Sequence, residues 1–192
     1  MTAEEIEQLV TGKHVKLYPY VRGLWPPETL FTLWQMMRDQ DAGEKIFFGR
    51  PGGGTPYSTA GDLVDFVKFF EPEPPAQRHL LLAQSQAEPD QIVGIFWFDD
   101  LVPGHRAAGS VLYRKRYWGE PAREASRLAL AYGFEVLGVG SIWAYTPWRT
   151  GFKHAEAAGM NHVATLPNYV IAADGKPMDL HILRVLKEEF GG

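Results

Sequence analysis

Alternation and helical periodicity divide the chain into readable segments. Thr2-Ala-Glu-Glu5 has the form of a capping box that opens a short N-terminal helix, which Gly12 ends. His14 to Tyr18 alternates apolar and polar residues and predicts a strand stopped by Pro19. After Pro26-Pro27, apolar residues at Leu30, Phe31, Leu33, Trp34 and Met37 form the stripe of an amphipathic helix over 28–38. Pro51-Gly-Gly-Gly-Thr-Pro56 predicts a flexible loop. Thr59-Ala-Gly-Asp62 then caps a second amphipathic helix through Leu63, Phe66, Val67 and Phe70, stopped by Glu71-Pro-Glu-Pro-Pro75.

Beyond Pro75 the period shortens. His79 to Gln84 and Gln91 to Phe98 read as apolar strands, separated by the turn-forming Glu88-Pro-Asp90, and Ala107 to Tyr113 is a third. Ala122 to Leu137 predicts a long helix with Ala125, Leu128, Ala129, Tyr132 and Val136 on one face, closed by Gly138-Val-Gly140. Ser141 to Thr146 returns as a strand, and Thr150 to Ala158 is a short helix closed by Gly159. Strands around 160–164, 168–172 and 178–186 finish the chain, the last two joined at Asp174-Gly175. Mixed strands and helices of this order predict one α/β or α+β domain over residues 1–192, built around a mixed sheet.

Composition narrows the function classes. The 192 residues are 45% hydrophobic and 22% charged, which excludes global disorder, and the absence of cysteine excludes disulfides, thiolate metal sites and a cysteine nucleophile. A net charge of −4 argues against nucleic-acid binding, which needs a basic face. No apolar run is long enough to span a bilayer, and the acidic, helical start of the chain is no signal peptide, so a cytoplasmic protein away from membranes is expected. Six Trp, eight Tyr and eleven Phe suit a packed core or an aromatic cleft equally. Trp34, Tyr57 and Trp97 are candidates for either.

Val93-Gly94-Ile-Phe-Trp, Tyr117-Trp118-Gly119 ahead of Arg123-Glu124-Ala125, Glu135-Val-Leu-Gly138-Val139 ahead of Ile142, and Glu156-Ala-Ala-Gly159-Met160 follow one another at telling distances. Asn168-Tyr169-Val and Asp174-Gly-Lys176 with Asp179 close the series. Together these phrases, over residues 91–184, resemble the GNAT superfamily of acyl-CoA-dependent N-acyltransferases, most of all the RimJ/RimL-like branch that acetylates ribosomal-protein N-termini. The resemblance implies an α+β fold, an α/β/α sandwich whose mixed, mostly antiparallel sheet has about seven strands, with a V-shaped parting between 107–113 and 141–146. It implies acetyl-CoA as cosubstrate: backbone groups of Val111, Leu112 and Tyr113 would hold the pantetheine arm, and the turn of Arg116, Trp118, Gly119, Glu120, Ala122 and Arg123 the pyrophosphate. The acceptor would be a small-molecule or peptide amine.

Two positions depart from the family pattern. The phosphate turn should read Arg/Gln-x-x-Gly-x-Gly/Ala; counted from Arg116 it has Gly119 but then Pro121, and aligned from Ala122 it has Glu120 where the central glycine belongs. Proline lacks an N–H and glutamate brings a negative charge, so weaker binding of acetyl-CoA than is usual for the fold is expected. Trp148 stands where the family has a pantetheine-contacting Asn, and Ala155 where it often has a Tyr. An inactive binding protein with a decayed cofactor turn is the alternative to an enzyme.

By the same resemblance, Asp99 and Asp100 occupy the acceptor side as candidates to take the ammonium proton; otherwise they form a solvated turn before Pro103-Gly104. Tyr145 alternates with Trp143 and faces either the parting or the core. His105 is a weaker candidate base. The remaining histidines lack metal-ligand spacing, so no metal site is assigned, and Gly52-Gly-Gly54 lacks the Lys-Ser/Thr of a phosphate loop. An edge strand and aromatic surface leave room for a homodimer.

Overall fold

The computed structural model describes residues 2–20, 27–39, 78–172 and 175–191. The loop at 51–56, the helix expected over 59–70, Tyr57 and Asp174 lie outside the described residues. Among those described, α1 (Ala3–Leu9), β1 (Val15–Pro19) and α2 (Pro27–Asp39) precede β2 (His79–Ser85), β3 (Ile92–Val102) and β4 (Arg106–Tyr113). Then follow α3 (Glu120–Glu135), β5 (Ser141–Thr146), α4 (Arg149–Ala157), β6 (Asn161–Ile171) and β7 (Pro177–Leu186).

The seven strands form one sheet in the order β1-β2-β3-β4-β5-β7-β6. All neighbours are antiparallel except β4 and β5, which run parallel because α3 carries the chain across between them. Strand alternation sorts the side chains onto two faces. On one, Leu17, Leu81, Phe96, Phe98, Ala107, Ile142, Leu183 and Val185 meet Ala125, Ala129, Leu130 and Phe134 of α3, with α4 packed alongside. On the other, Leu80, Leu82, Ile95, Trp97 and Leu112 meet Leu33, Trp34 and Met36 of α2. Trp34 and Trp97 are therefore core residues, and the buried stripe of α2 runs through Met36 while Phe31 is 43% exposed.

The segments 160–164 and 168–172 are one strand and not two. Pro167 and Asn168 break the ladder only locally: the pairing jumps between Leu166 and Val170, Asn168 takes φ 52°, and its N–H is satisfied by Asp179 Oδ1 at 3.0 Å. This is a bulge in the outermost strand, where a missing ladder bond costs least. Val163, Tyr169 and Ile171 of β6 are exposed.

The N-terminal segment is tied to α3 by one carboxylate. Glu124 accepts the N–H groups of Lys13, His14 and Val15 at 2.8, 2.6 and 3.0 Å. A Cβ at Gly12 would lie 2.5 Å from that carboxylate carbon, so a larger residue there would displace the clamp. No helix among the described residues is long and apolar enough to cross a membrane.

Candidate active site

The parallel pairing of β4 and β5 covers three residues: Arg106 with Ser141, Ala107 with Ile142, Ala108 with Trp143. Beyond them the strands part, as the resemblance implied, and 109–113 pair only with β3. The direction of the free backbone groups follows from alternation. Arg114 N donates to Val93 O at 2.9 Å on the β3 side, whereas His105 O accepts from Gly140 and Ser141, each at 3.0 Å, on the β5 side. Residues 109, 111 and 113 therefore turn N–H and C=O into the opening, and residue 112 turns them onto β3. Val111 and Tyr113 reach the opening through their backbones. Leu112 does not, because its backbone pairs with Ile95 and its side chain is buried against α2. The Tyr113 carbonyl already accepts the indole N–H of Trp118 at 3.1 Å.

At the mouth of the parting lies the start of α3. A 3-10 turn over Lys115–Tyr117 leads through Trp118, 57% exposed, to Gly119 at φ 110° and ψ −135°. That backbone suits glycine alone, and a Cβ there would meet nothing within 4 Å, leaving open space beside the helix terminus. No side chain caps the helix. Its first turn thus presents the N–H groups of Glu120 and Ala122, while Pro121 has none to offer. Glu120 forms an ion pair with Arg123 at 2.6 Å, which offsets its charge locally. Arg116 is directed elsewhere: it binds Glu88 at 3.3 Å and Gln91 at 3.0 Å on the β2–β3 turn, with the Tyr117 hydroxyl bridging to Glu88. Trp148 stands at the N-cap of α4, half-buried, its backbone N–H held by Thr146 Oγ1 at 3.1 Å.

One arrangement here was not foreseen. The Tyr113 hydroxyl lies 2.9 Å from Ser126 Oγ on α3, which lies 2.8 Å from His154 Nε2 on α4, so hydrogen bonds link the end of β4 to the helix after β5. Burial pushes the Tyr113 phenol above its ordinary range. It lowers the His154 pKa, with the charge of Arg123 adding to the effect. A hydroxyl inside the alanine stripe Ala122, Ala125, Ala129 was the signal available in sequence, since a buried Ser needs a partner.

On the opposite face, around the same opening, stand the acceptor-side candidates. Asp99 is engaged on both oxygens, by the Arg78 guanidinium and by Trp97 Nε1 at 2.8 Å. Asp100, exposed at φ 48° in the irregularity of β3, has no side-chain partner among the described residues. Tyr145 is 48% exposed on this face. Partial burial raises its pKa, Arg106 lowers it and Asp100 raises it, which places both charges within electrostatic reach of the phenol. His105 contributes its backbone carbonyl to the β5 junction, and its exposed ring lies in the β3–β4 turn.

No family model and no curated protein matches the sequence. Solved structures do match. Spermidine N-acetyltransferase from Vibrio cholerae, in complex with CoA and spermine, superposes with a TM-score of 0.72 at 14% identity, over 94% of this chain and 100% of that one. A GNAT-family acetyltransferase from Bacillus anthracis gives 0.68 at 17% identity, over 93% and 98%. The ribosomal-protein-S5-alanine acetyltransferase from Vibrio fischeri gives 0.66 at 14% identity, over 95% and 98%. The fold is that of the GNAT acetyltransferases. Among the structures it matches is a ribosomal-protein acetyltransferase, the kind that the sequence phrases resemble.

Proposed function

We propose that the protein is an acetyl-CoA-dependent N-acetyltransferase acting on an amine. One observation carries this reading: the parted strands and the uncapped start of α3 share a single opening. The uncapped N–H groups at the start of α3 and the helix dipole suit a pyrophosphate, and the open space beside Gly119 lets it approach the backbone. The Val111 backbone then offers a ladder edge to an extended amide-bearing arm. The bound thioester supplies an activated acetyl group. What remains for the protein is to position an amine and remove its proton.

Asp100 is the carboxylate free for that task, directly or through a water, because both oxygens of Asp99 are committed. The ammonium gives one proton to Asp100 and solvent, and the neutral amine nitrogen bonds to the acyl carbon as the carbon–sulfur bond breaks. The sulfur leaves with the bonding pair and takes up the second nitrogen proton as the free thiol. A second reading, a binding protein without turnover, is favoured by the Trp118 indole on the slot-facing Tyr113 carbonyl and by Ala155 offering no hydroxyl. Calorimetric titration with acetyl-CoA, followed by thiol release in the presence of amines and N-terminal peptides, separates the readings. Binding with release supports the enzyme; the absence of release, with or without binding, overturns it and supports the second reading.

A further inference from the structure

A single cross-strand row crosses the floor of the opening on the α2 face. Asp99 pairs with Ala108, Ala108 with Trp143, Trp143 with Arg184, and Arg184 with Asn161. Cross-strand partners share a face. The row thus carries an acid at one end, a small residue and an indole at the fork, and a guanidinium one strand beyond.

The two charges of that row differ in how they are satisfied. Asp99 is saturated by Arg78 and Trp97. Arg184 is half-buried, and its Nε is fully buried without a hydrogen-bond partner. Its guanidinium carbon stands 5.6 Å from the centre of the Trp143 ring, and it has no ion-pair partner among the described residues. The nearby Glu189 is occupied by Asn161 and by the Leu186 N–H. Arg106, exposed at the lower end of the fork, also lacks a side-chain partner among the described residues. Among the described residues, this face sets one uncommitted carboxylate, Asp100, against these two cations. A polyamine would meet repulsion here. A partly buried guanidinium over an indole, without an ion-pair partner among the described residues, is arranged for a planar anion, which it can bind through paired hydrogen bonds.

We propose, building on the acetyltransferase reading above, that the acceptor is an amine bearing its own carboxylate, with Arg184 on Trp143 binding the carboxylate and Asp100 facing the amine. Strands lie about 4.8 Å apart, so β7 stands roughly 7 Å from the midline of the fork. A free amino acid or the carboxyl end of a very short peptide spans that distance once the arginine reaches back over the indole.

Thiol release from acetyl-CoA would be followed with alanine, alaninamide, dialanine, glutamate and spermidine, and N-acetylalanine and N-acetylalaninamide would be titrated into the protein by calorimetry. Acids should exceed their amides by about tenfold or more in kcat/KM or in affinity, the scale of one charge-assisted contact. Arg184→Met should bring the acid down to its amide, and Arg184→Lys should restore part of the difference. A preference for spermidine, equal use of acid and amide, or an undiminished preference in Arg184→Met overturns the proposal. If Arg184→Met does not fold, the lysine variant and the wild-type comparison of acid with amide still decide. Acetyl-CoA binding with no response to either acetylated product overturns the carboxylate site and leaves the acetyltransferase reading standing. Selective binding of N-acetylalanine without any binding of acetyl-CoA does the reverse.

Discussion

Helices α1 and α3 begin in opposite ways. At α1 the Thr2 hydroxyl accepts the Glu5 N–H at 3.2 Å and the Glu5 carboxylate accepts the Thr2 N–H at 2.6 Å, so the terminus satisfies itself. At α3 a glycine at φ 110° takes the cap position, no side chain bonds back, and the two acids of the first turns are used elsewhere, Glu120 on Arg123 and Glu124 on the N-terminal segment. A helix that only has to be stable closes its own end. One that leaves its N–H groups free, with a glycine at the cap, gives up a few tenths of a kcal/mol of capping and leaves donors open to an anion.

The contrast can be broken most severely at Glu124. Glu124→Ala removes three N–H contacts to a carboxylate; at about 3 kcal/mol in total, the melting temperature should fall by roughly 6–12 °C. A fall of no more than a degree or so would make the contact ornamental. Gly119→Ala forces an L side chain into a backbone it resists, at about 2 kcal/mol, and should also weaken acetyl-CoA binding in calorimetry. Thr2→Ala, costing about 1 kcal/mol of the same kind of stability, should leave that binding untouched. If both variants weaken binding alike, the two termini do not differ in purpose.

Pro121→Ala sharpens the contrast by opening α3 further. It supplies the missing N–H, and acetyl-CoA should bind about tenfold more tightly, the worth of one bond to a charged group near 1.5 kcal/mol. An unchanged dissociation constant would place the phosphates off the helix axis.

The smallest effect concerns His154 behind the same helix. Its folded pKa is below 6.5, so the unfolded chain binds the proton more readily, and the stability it contributes is present above 6.5 and lost as pH falls through the folded value. Wild-type melting temperature should decline between pH 7 and 5 more steeply than that of His154→Gln. The half-buried His79, shifted the same way, contributes equally to both and cancels. Parallel curves would mean that His154 titrates as it does in water.

What was legible in sequence is what local pattern determines. Strand alternation and the glycine-bounded helix 122–137 located most element ends to within two or three residues, with β3 running four further to Val102, because those signals lie within one segment; the parting followed from the resemblance. Pro167-Asn168 misled, since a proline and a left-handed residue look alike at a chain break and in an edge bulge. The site was less legible. Arg116 fits the motif, yet Glu88, 28 residues earlier, turns it away, and Asp99 looked free until Arg78 was placed beside it. Side-chain partners from other strands decide such roles, and spacing along one strand does not report them. Ser126 and Arg184 went unremarked for the same reason.

The Glu124 clamp also sets a schedule for synthesis. Val15 and its neighbours depend on a carboxylate 109 to 111 residues later in the chain. At roughly 5–20 residues per second, that acid leaves the ribosome on the order of ten seconds after the segment it holds. Until then β1 has only β2 to pair with, and that strand itself begins at His79. The first strand of the chain is thus among the last to be secured, held by β2 alone while the second half is made.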